Sequence, residues 1–173
     1  MFLHKLGSSD RNFKALTFHE GMNILLADKT NNSRLGDSRN GAGKTSFIRI
    51  LRYLLGGNLH GSLKSKELEN HSFWVYLELN ETNADYLERP IKPQTKVIFN
   101  GKTITVEDWK SYIRKIFDIS DKFSRPTVSQ LVSQLVRDNF DDPLKIFTVE
   151  PSWESGARIG YLLGLSPEIL IKA

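Results

Sequence analysis

Apolar residues along this chain fall into short runs that predict strands near the amino terminus. Residues 1–6 form the first run, residues 12–20 contain a second, and residues 22–27 form a third. Each run has the length of a strand and is bounded by glycine or polar residues. We expect two antiparallel strands, followed by a third strand that leads into the next segment.

The pattern then changes to the spacing of amphipathic helices. Residues 46–55 have apolar positions at helical spacing, and Gly56 and Gly57 end this predicted helix. The same spacing predicts three later helices, over residues 107–117, 127–140 and 152–165. Gly156 and Gly160 are expected to interrupt the last one, because glycine disfavours a helix interior.

Between the first and second helices, the chain returns to strand patterns. Residues 73–79 alternate and are rich in aromatic residues, and residues 86–90 form a further run that ends at a proline. Residues 96–99 and 102–106 flank Asn100 and Gly101, a pair that suits a two-residue hairpin turn. The predicted fold is therefore α/β with α+β character: an antiparallel β-subdomain with flanking helices, in one domain over residues 1–173.

A glycine-bearing motif lies between the third strand and the first helix. It reads D-S-R-N-G-A-G-K-T-S over residues 37–46. It matches the phosphate-binding consensus G-x-x-x-x-G-K-[ST], except that Ser38 stands where the leading glycine belongs. Glycines let backbone N–H groups approach phosphate oxygens, and the helix start adds a partial positive charge. Strand, loop and helix follow in the order that this site needs.

The motif supplies the candidate site residues. Lys44 is expected to reach the β- and γ-phosphates, and the Thr45 hydroxyl to bind Mg²⁺. An ordinary glycine turn before an amphipathic helix is the alternative interpretation. The residues predicted to surround the phosphates are Ser38, Arg39, Asn40, Gly41, Ala42, Gly43, Lys44, Thr45 and Ser46.

Composition narrows the class of protein. The chain has 173 residues, 39% of them apolar, and no cysteine, which excludes disulfides and thiolate metal sites. No apolar run approaches the roughly 20 residues that span a bilayer, so we expect a cytoplasmic protein. The net charge of +4 is a small excess that permits contact with nucleic acid but is also typical of a solvated surface.

Taken together, these motifs resemble a known family. The order of G-M-N-I-L-L, N-G-A-G-K-T, a helix ending in Gly-Gly, and an antiparallel set with L-E-R-P is similar to the N-terminal lobe of SMC/RecF/RecN-like ATPase heads, which are ABC-type P-loop NTPases. S-R-N-G-A-G-K-T-S with R-Y-L-L-G-G looks most like the SMC-like proteins of bacterial ABC-three-component and related defence systems. The likeness covers residues 1–165 and is specific over residues 21–57.

The resemblance implies a function and partners. ATP would be bound with Mg²⁺ between two protomers, and the resulting head engagement would be coupled to DNA handling in repair, chromosome maintenance or anti-phage defence. A C-terminal lobe would supply the Walker B acid and signature motif, neither of which follows residue 45 here, and a coiled coil would begin beyond residue 165. We therefore expect ATP binding with little or no hydrolysis by this chain alone.

The resemblance also implies roles for three further residues. A glutamine of the lobe contacts Mg²⁺ or the attacking water in such heads, and here either Gln130 or Gln134 is the candidate. Both are also explained as polar positions on a mostly apolar helix. Arg39 is expected to approach phosphate or the partner head, or else to be a solvated loop residue.

Two functions of other classes stay open. One is a self-contained P-loop phosphotransferase or GTPase, although the chain has no N-K-x-D string for guanine and no simple alternation of strands and helices. The other is a non-catalytic DNA-binding or scaffold domain with a vestigial loop. Removing the Lys44 side chain separates this scaffold from an ATP-binding lobe.

Overall fold

The computed structural model describes residues 1–25, 44–79, 84–120, 126–137 and 152–165. The strands are β1 (Phe2–Ser8), β2 (Leu16–Thr17), β3 (Ser72–Glu78), β4 (Asp85–Pro90), β5 (Lys96–Phe99) and β6 (Lys102–Thr105). The helices are α1 (Lys44–Leu54), α2 (Val106–Ile116), α3 (Val128–Leu135) and α4 (Ser152–Leu162). Two short 3₁₀ turns, Gly61–Leu63 and Lys66–Leu68, connect α1 to β3.

All six described strands form one antiparallel sheet in the order β2-β1-β3-β4-β5-β6. Strand β1 precedes α1 in the sequence and β3 follows it, but the two strands are neighbours in the sheet. Leu6 of β1 lies opposite Val75 of β3. Strands β3 to β6 then follow as neighbouring hairpins. This confirms the predicted antiparallel sheet with flanking helices.

The β5–β6 hairpin forms as its turn residues predict. Asn100 and Gly101 have φ angles of 48° and 79°, and Phe99 pairs with Lys102. Positive φ at both central positions is what a type I′ turn requires. The Asn100 side chain also accepts a hydrogen bond from the Tyr86 N–H at 2.8 Å and donates one to Asp85 at 2.8 Å. The turn is thereby tied to β4.

The core lies between one face of the sheet and the helices α1 and α2. Helix α1 packs on β3 and β4, and α2 packs on β5 and β6, while α3 contacts both helices. The fully buried side chains include Leu6, Tyr53, Val75, Leu87, Val97 and Trp109. Alternation along β3 and β4 sends Val75 and Leu87 to the face that packs against the helices.

Helix α2 starts one residue earlier than its apolar spacing indicates. Thr105 accepts a hydrogen bond from the Asp108 N–H at 3.0 Å, and the Asp108 carboxylate accepts one from the Thr105 N–H at 3.3 Å. This reciprocal capping box fixes the helix start. Val106, expected at the end of a strand, is therefore the first residue of the helix.

Of the amino-terminal strand predictions, the second is confirmed in part and the third is wrong for the described residues. The second strand pairs antiparallel with β1 but is limited to Leu16–Thr17. Residues 22–25 form no strand, and residues 26 and 27 lie outside the described part. Met22, Ile24 and Leu25 are exposed by 80%, 69% and 43%, so the apolar run has no packing surface among the described residues.

The last two helices also differ from expectation. Helix α3 ends at Leu135, not at residue 140, and residues 138–140 lie outside the described part. Helix α4 is not interrupted by its glycines and continues to Leu162, because Ala157, Arg158 and Gly160 are buried along one side of it. Gly164, with a φ angle of 80°, ends it. None of the helices in the described part of the chain is long and apolar enough to cross a membrane.

Candidate functional site

The start of helix α1 is the described part of the predicted phosphate site. The helix begins at Lys44, where the motif passes from loop to helix. Thr45 is exposed and Ser46 is half-buried in this first turn. Six residues that are predicted to contact phosphate lie outside the described residues: Ser38, Arg39, Asn40, Gly41, Ala42 and Gly43. The Lys44 side chain also lies outside them.

The electrostatics of this helix end suit an anion. The backbone N–H groups of a first helical turn have no partner within the helix and carry a partial positive charge. The first turn of α1 contains no acidic side chain that would neutralise this charge. The exposed Thr45 hydroxyl and the phosphate oxygens are oxygen ligands of the kind that Mg²⁺ binds. The start of α1 is therefore electrostatically suited to an anion, and the binding of phosphate and Mg²⁺ there stays a prediction.

The opposite end of α1 is closed by the Gly56-Gly57 pair. The Gly57 N–H donates to the Arg52 carbonyl at 2.9 Å, and the Gly56 N–H donates to the Tyr53 carbonyl at 3.1 Å. With Gly56 at a φ angle of 92°, this is a Schellman ending. A Cβ at Gly57 would lie 2.7 Å from the Arg52 carbonyl oxygen. Glycine at this position is therefore a steric requirement.

A buried arginine from β4 binds the same helix end. Arg89, only 4% exposed, donates from Nη1 to the carbonyls of Tyr53 at 2.5 Å and Gly57 at 2.8 Å, and from Nη2 to Gln94 at 3.1 Å. Its guanidinium lies 3.9 Å from the Tyr53 ring centre. Burial lowers the pKa of Arg89, while Tyr53 and Glu107 oppose that effect. A cation at the negative end of a helix is stabilising.

Two further hydrogen bonds tie α1 to its surroundings. The Tyr53 hydroxyl donates to the Pro90 carbonyl at 2.6 Å, and the Trp109 indole donates to the Leu54 carbonyl at 2.9 Å. Since Trp109 belongs to α2, the end of α1 is bonded to both the sheet and the next helix. The axis of α1, and with it the position of Lys44 at the other end, is fixed by these contacts.

Arg89 is the main structural residue of this region that sequence patterns did not single out. The signal was present in the alternation of β4, which places Arg89 on the same face as Leu87 and Ile91. Both neighbours are buried, at 0% and 3% exposure. A charged residue at a core position of a strand needs polar partners there. The carbonyls at the end of α1 are those partners.

Helix α3, which carries both candidate glutamines, is attached to α1 through Arg52. The Arg52 guanidinium donates from Nε to the Val136 carbonyl at 2.6 Å and from Nη2 to the Ser133 carbonyl at 3.4 Å. Ser133 lies in the last turn of α3, and Val136 directly follows the helix. The arrangement positions α3 beside α1 but assigns no glutamine to the phosphate end.

Gln130 and Gln134 both have partners within the fold. Gln130 accepts from the Thr127 N–H at 2.8 Å, and its own N–H donates to the Thr127 hydroxyl at 3.2 Å, which makes a capping box for α3. Gln134 accepts from Nε of the fully buried Arg158 at 3.1 Å. These bonds give each amide a structural role, and contact with Mg²⁺ or water stays a prediction.

Among the residues that the structure describes, no group of three or more His, Asp or Glu side chains could hold a metal ion.

Comparisons with known proteins include a weak structural neighbour. No family model matches the chain, and no curated protein matches it. A solved chain described under ATP-driven dimerization and DNA-stimulated activation of SMC ATPases is similar over 99% of this chain and 98% of that chain, with a TM-score of 0.49 and 12% identity. At this level of similarity the neighbour does not assign a fold or a function.

Proposed function

We propose that this chain is an ATP-binding lobe of an SMC-like P-loop ATPase. The observation that carries the proposal is that α1 begins at Lys44, directly after N-G-A-G, with no acidic residue in its first turn. The sequence predicts a loop that binds phosphate, and the helix start supplies the partial positive charge that such a loop uses.

Each residue of the junction has a role in the proposed site. The N–H groups of residues 40–45 surround the β-phosphate, the Lys44 ammonium neutralises the β- and γ-phosphates, and the Thr45 hydroxyl binds Mg²⁺. Hydrolysis also needs an acidic Mg²⁺ support and a group that orients water. Because we expect a second lobe to provide these groups, the chain by itself should bind ATP and hydrolyse it slowly or not at all.

The proposed partner is a C-terminal lobe or a second protomer that engages in the presence of ATP. Support comes from Met22, Ile24 and Leu25, which are exposed just upstream of the loop. Exposed apolar residues of this kind can be covered by an added strand. Coupling of this engagement to DNA, in repair, chromosome maintenance or defence, is the further part of the proposal and rests on the sequence motifs.

The antiparallel sheet argues against a self-contained phosphotransferase. Every strand pair in the described part of the chain is antiparallel. Small nucleotide kinases instead build their site at the carboxyl edge of parallel strands that alternate with helices. The described residues therefore favour a lobe of a larger head.

Calorimetric titration of Mg-ATP into the chain tests the proposal, with Mg-GTP in parallel. We expect ATP to bind, Lys44→Ala to abolish binding, and Thr45→Ala to weaken binding only when Mg²⁺ is present. Lys115→Ala, which removes an exposed lysine from α2, is the matched control. Equal affinity in the wild type and Lys44→Ala would refute the proposed site and favour a scaffold with a vestigial loop.

A further inference from the structure

The face of the sheet opposite to α1 and α2 carries a cluster of three aromatic rings. Tyr76 of β3 lies opposite Tyr86 of β4, and Trp74 is two residues along β3 on the same side. The ring centres of Trp74 and Tyr76 are 5.8 Å apart, and those of Tyr76 and Tyr86 are 5.1 Å apart. Tyr76 is 41% exposed, and the other two rings are half-buried. We call these three residues the aromatic face.

The Trp74 indole lies flat on the neighbouring strand β1. Gly7 is the residue opposite Trp74, and a Cβ at Gly7 would lie only 2.2 Å from the indole ring. An aromatic ring that covers a strand glycine stabilises a sheet without any ligand. This packing accounts for Trp74, but it does not account for Tyr76, whose ring remains exposed.

Two exposed lysines flank the aromatic face. Lys5 of β1 lies opposite Tyr76, and its Nζ is 5.9 Å from the Trp74 ring centre. Lys96 begins β5, on the other side of β3 and β4, and lies two residues before Ile98 on the same side of the sheet. Neither lysine forms an ion pair with another described residue. Because β1 and β5 are three strand spacings apart, the two lysines belong to strands about 14 Å apart.

Two carboxylates on the same side of the sheet already have partners. Glu88, which lies opposite Trp74, accepts hydrogen bonds from the Tyr86 hydroxyl at 2.6 Å and from the Ser72 hydroxyl. Glu78, the last residue of β3, lies 3.4 Å from the His4 imidazole. The carboxylate of Glu88 repels phosphate from the centre of the surface. The rings are therefore left to uncharged groups, and anions are attracted to the flanking lysines.

We propose that the aromatic face binds single-stranded DNA, with bases stacked on the rings and phosphates near Lys5 and Lys96. Every base has a π-face, so stacking tolerates any sequence, and cations track the backbone. The unpaired lysines favour this strand over a proline-rich peptide, which also docks on aromatic residues but needs no cation. The choice of DNA rests on the proposed coupling of the chain to DNA, whereas the surface itself requires neither Lys44 nor ATP.

Fluorescence anisotropy of a labelled oligothymidine measures the binding. The whole chain carries Lys44→Ala and is free of nucleotide, so the phosphate loop does not contribute. We expect the single strand to bind about tenfold more tightly than a duplex of the same length, whose bases are already stacked on one another. An oligouridine of the same length should also bind more weakly, because uracil lacks the apolar methyl group of thymine.

Tyr76→Thr is the deciding variant. Threonine suits a strand but offers no ring, and the loss of one stacked base should weaken binding about fivefold or more. Trp153→Leu is the matched control, since it removes an exposed aromatic ring from α4 and should leave the affinity unchanged. Circular dichroism checks that both variants keep the fold.

Lys5→Gln tests the electrostatic contribution without altering the rings. For single strands, each phosphate contact adds about −0.7 to the slope of log affinity against log salt concentration. We expect Lys5→Gln to make this slope shallower by about 0.7, and Lys115→Gln, at an exposed lysine of α2, to leave it unchanged. Because Lys5 is exposed, this variant tests the proposal even where Tyr76→Thr lowers the stability of the fold.

Several results would overturn the proposal. Oligothymidine that does not bind, or that binds Tyr76→Thr as tightly as Trp153→Leu, would exclude the aromatic face. Equal affinity for single strand and duplex would indicate backbone contacts without stacking, and equal salt slopes in Lys5→Gln and Lys115→Gln would remove the role of Lys5. Tighter binding of oligouridine or of a proline-rich peptide would assign the surface to another occupant. Since ATP binding is measured separately with Lys44 intact, each of these failures leaves the ATP-binding proposal standing.

Discussion

Arg89 and Tyr53 are joined twice: the arginine Nη1 donates to the Tyr53 carbonyl at 2.5 Å, and the guanidinium lies 3.9 Å from the Tyr53 ring centre. The first contact holds the end of helix α1, and the second packs the cation against an aromatic face. The Tyr53 hydroxyl returns to the residue after Arg89, since it donates to the Pro90 carbonyl. Strand β4 and helix α1 therefore behave as one unit.

We expect Arg89→Met to lower the free energy of unfolding by about 2–4 kcal/mol, because three carbonyl acceptors lose their buried donor. Denaturation in urea, followed by circular dichroism, measures the change. Lys96→Met is the control, since Lys96 is exposed on the neighbouring strand β5 and the change should stay within about 0.5 kcal/mol. Equal stability of the two variants would contradict the role of Arg89.

Gly57→Ala should lower the unfolding free energy by about 1–3 kcal/mol, because the new Cβ meets a backbone carbonyl that cannot move without opening the Schellman ending. Gly61→Ala is the matched variant, with open space around its Cβ, and it should be neutral or slightly stabilising. Thermal unfolding of both variants distinguishes steric conflict from a general intolerance of alanine in this loop.

The capping box of α3 predicts different effects for two changes at Gln130. Gln130→Ala removes the acceptor for the Thr127 N–H and should cost about 1 kcal/mol of stability. Gln130→Glu keeps an acceptor at the same position of the box, and the stability of this variant should remain near that of the wild type. Gln94→Ala, an exposed loop position, is the control. Urea denaturation in which Gln130→Ala matches wild type would refute the capping role.

Stability should fall at alkaline pH because of Tyr86. Burial, followed by its hydrogen bond to the Glu88 carboxylate at 2.6 Å, raises the pKa of Tyr86. The folded pKa lies above the unfolded value of about 10. The favourable contribution of Tyr86 to the free energy of unfolding is therefore complete below about pH 10, and it is lost as the pH rises through the folded pKa.

Urea denaturation from about pH 8 to about pH 11 measures this loss. Tyr86→Phe should reduce the alkaline slope, and Glu88→Gln should reduce it in part, since burial of the phenol remains. The raised pKa values of Tyr53 and Tyr161 act in the same direction and stay in both variants. A slope in Tyr86→Phe that equals the wild-type slope would contradict the assignment.

Local signals in the sequence were sufficient for several elements. Asn100 and Gly101 adopt the positive φ angles that their residue types favour, so the β5–β6 hairpin follows from two residues. Helix α1, predicted over residues 46–55, runs from Lys44 to Leu54, and the glycine pair that the sequence indicates as its end follows directly after Leu55. In these places the local preference and the fold agree.

Other elements depend on contacts that are distant in sequence. The apolar residues Met22 and Ile24 match a strand, but a strand needs a neighbour, and the described residues offer none. Gly156 and Gly160 disfavour a helix by about 1 kcal/mol each, yet the burial of Arg158 and its neighbours keeps α4 continuous. Of the predicted phosphate loop, only the helix start lies within the described residues, and the roles of the loop residues stay predictions.

The bond between Trp109 and helix α1 gives the chain an internal optical reporter. Its indole is fully buried and bound to the Leu54 carbonyl, whereas Trp74 is half-buried and Trp153 is 54% exposed. With Trp74 and Trp153 replaced by phenylalanine, fluorescence would come from the end of α1 alone. Any shift of that helix would change the emission wavelength, so its movement could be followed in real time without an attached dye.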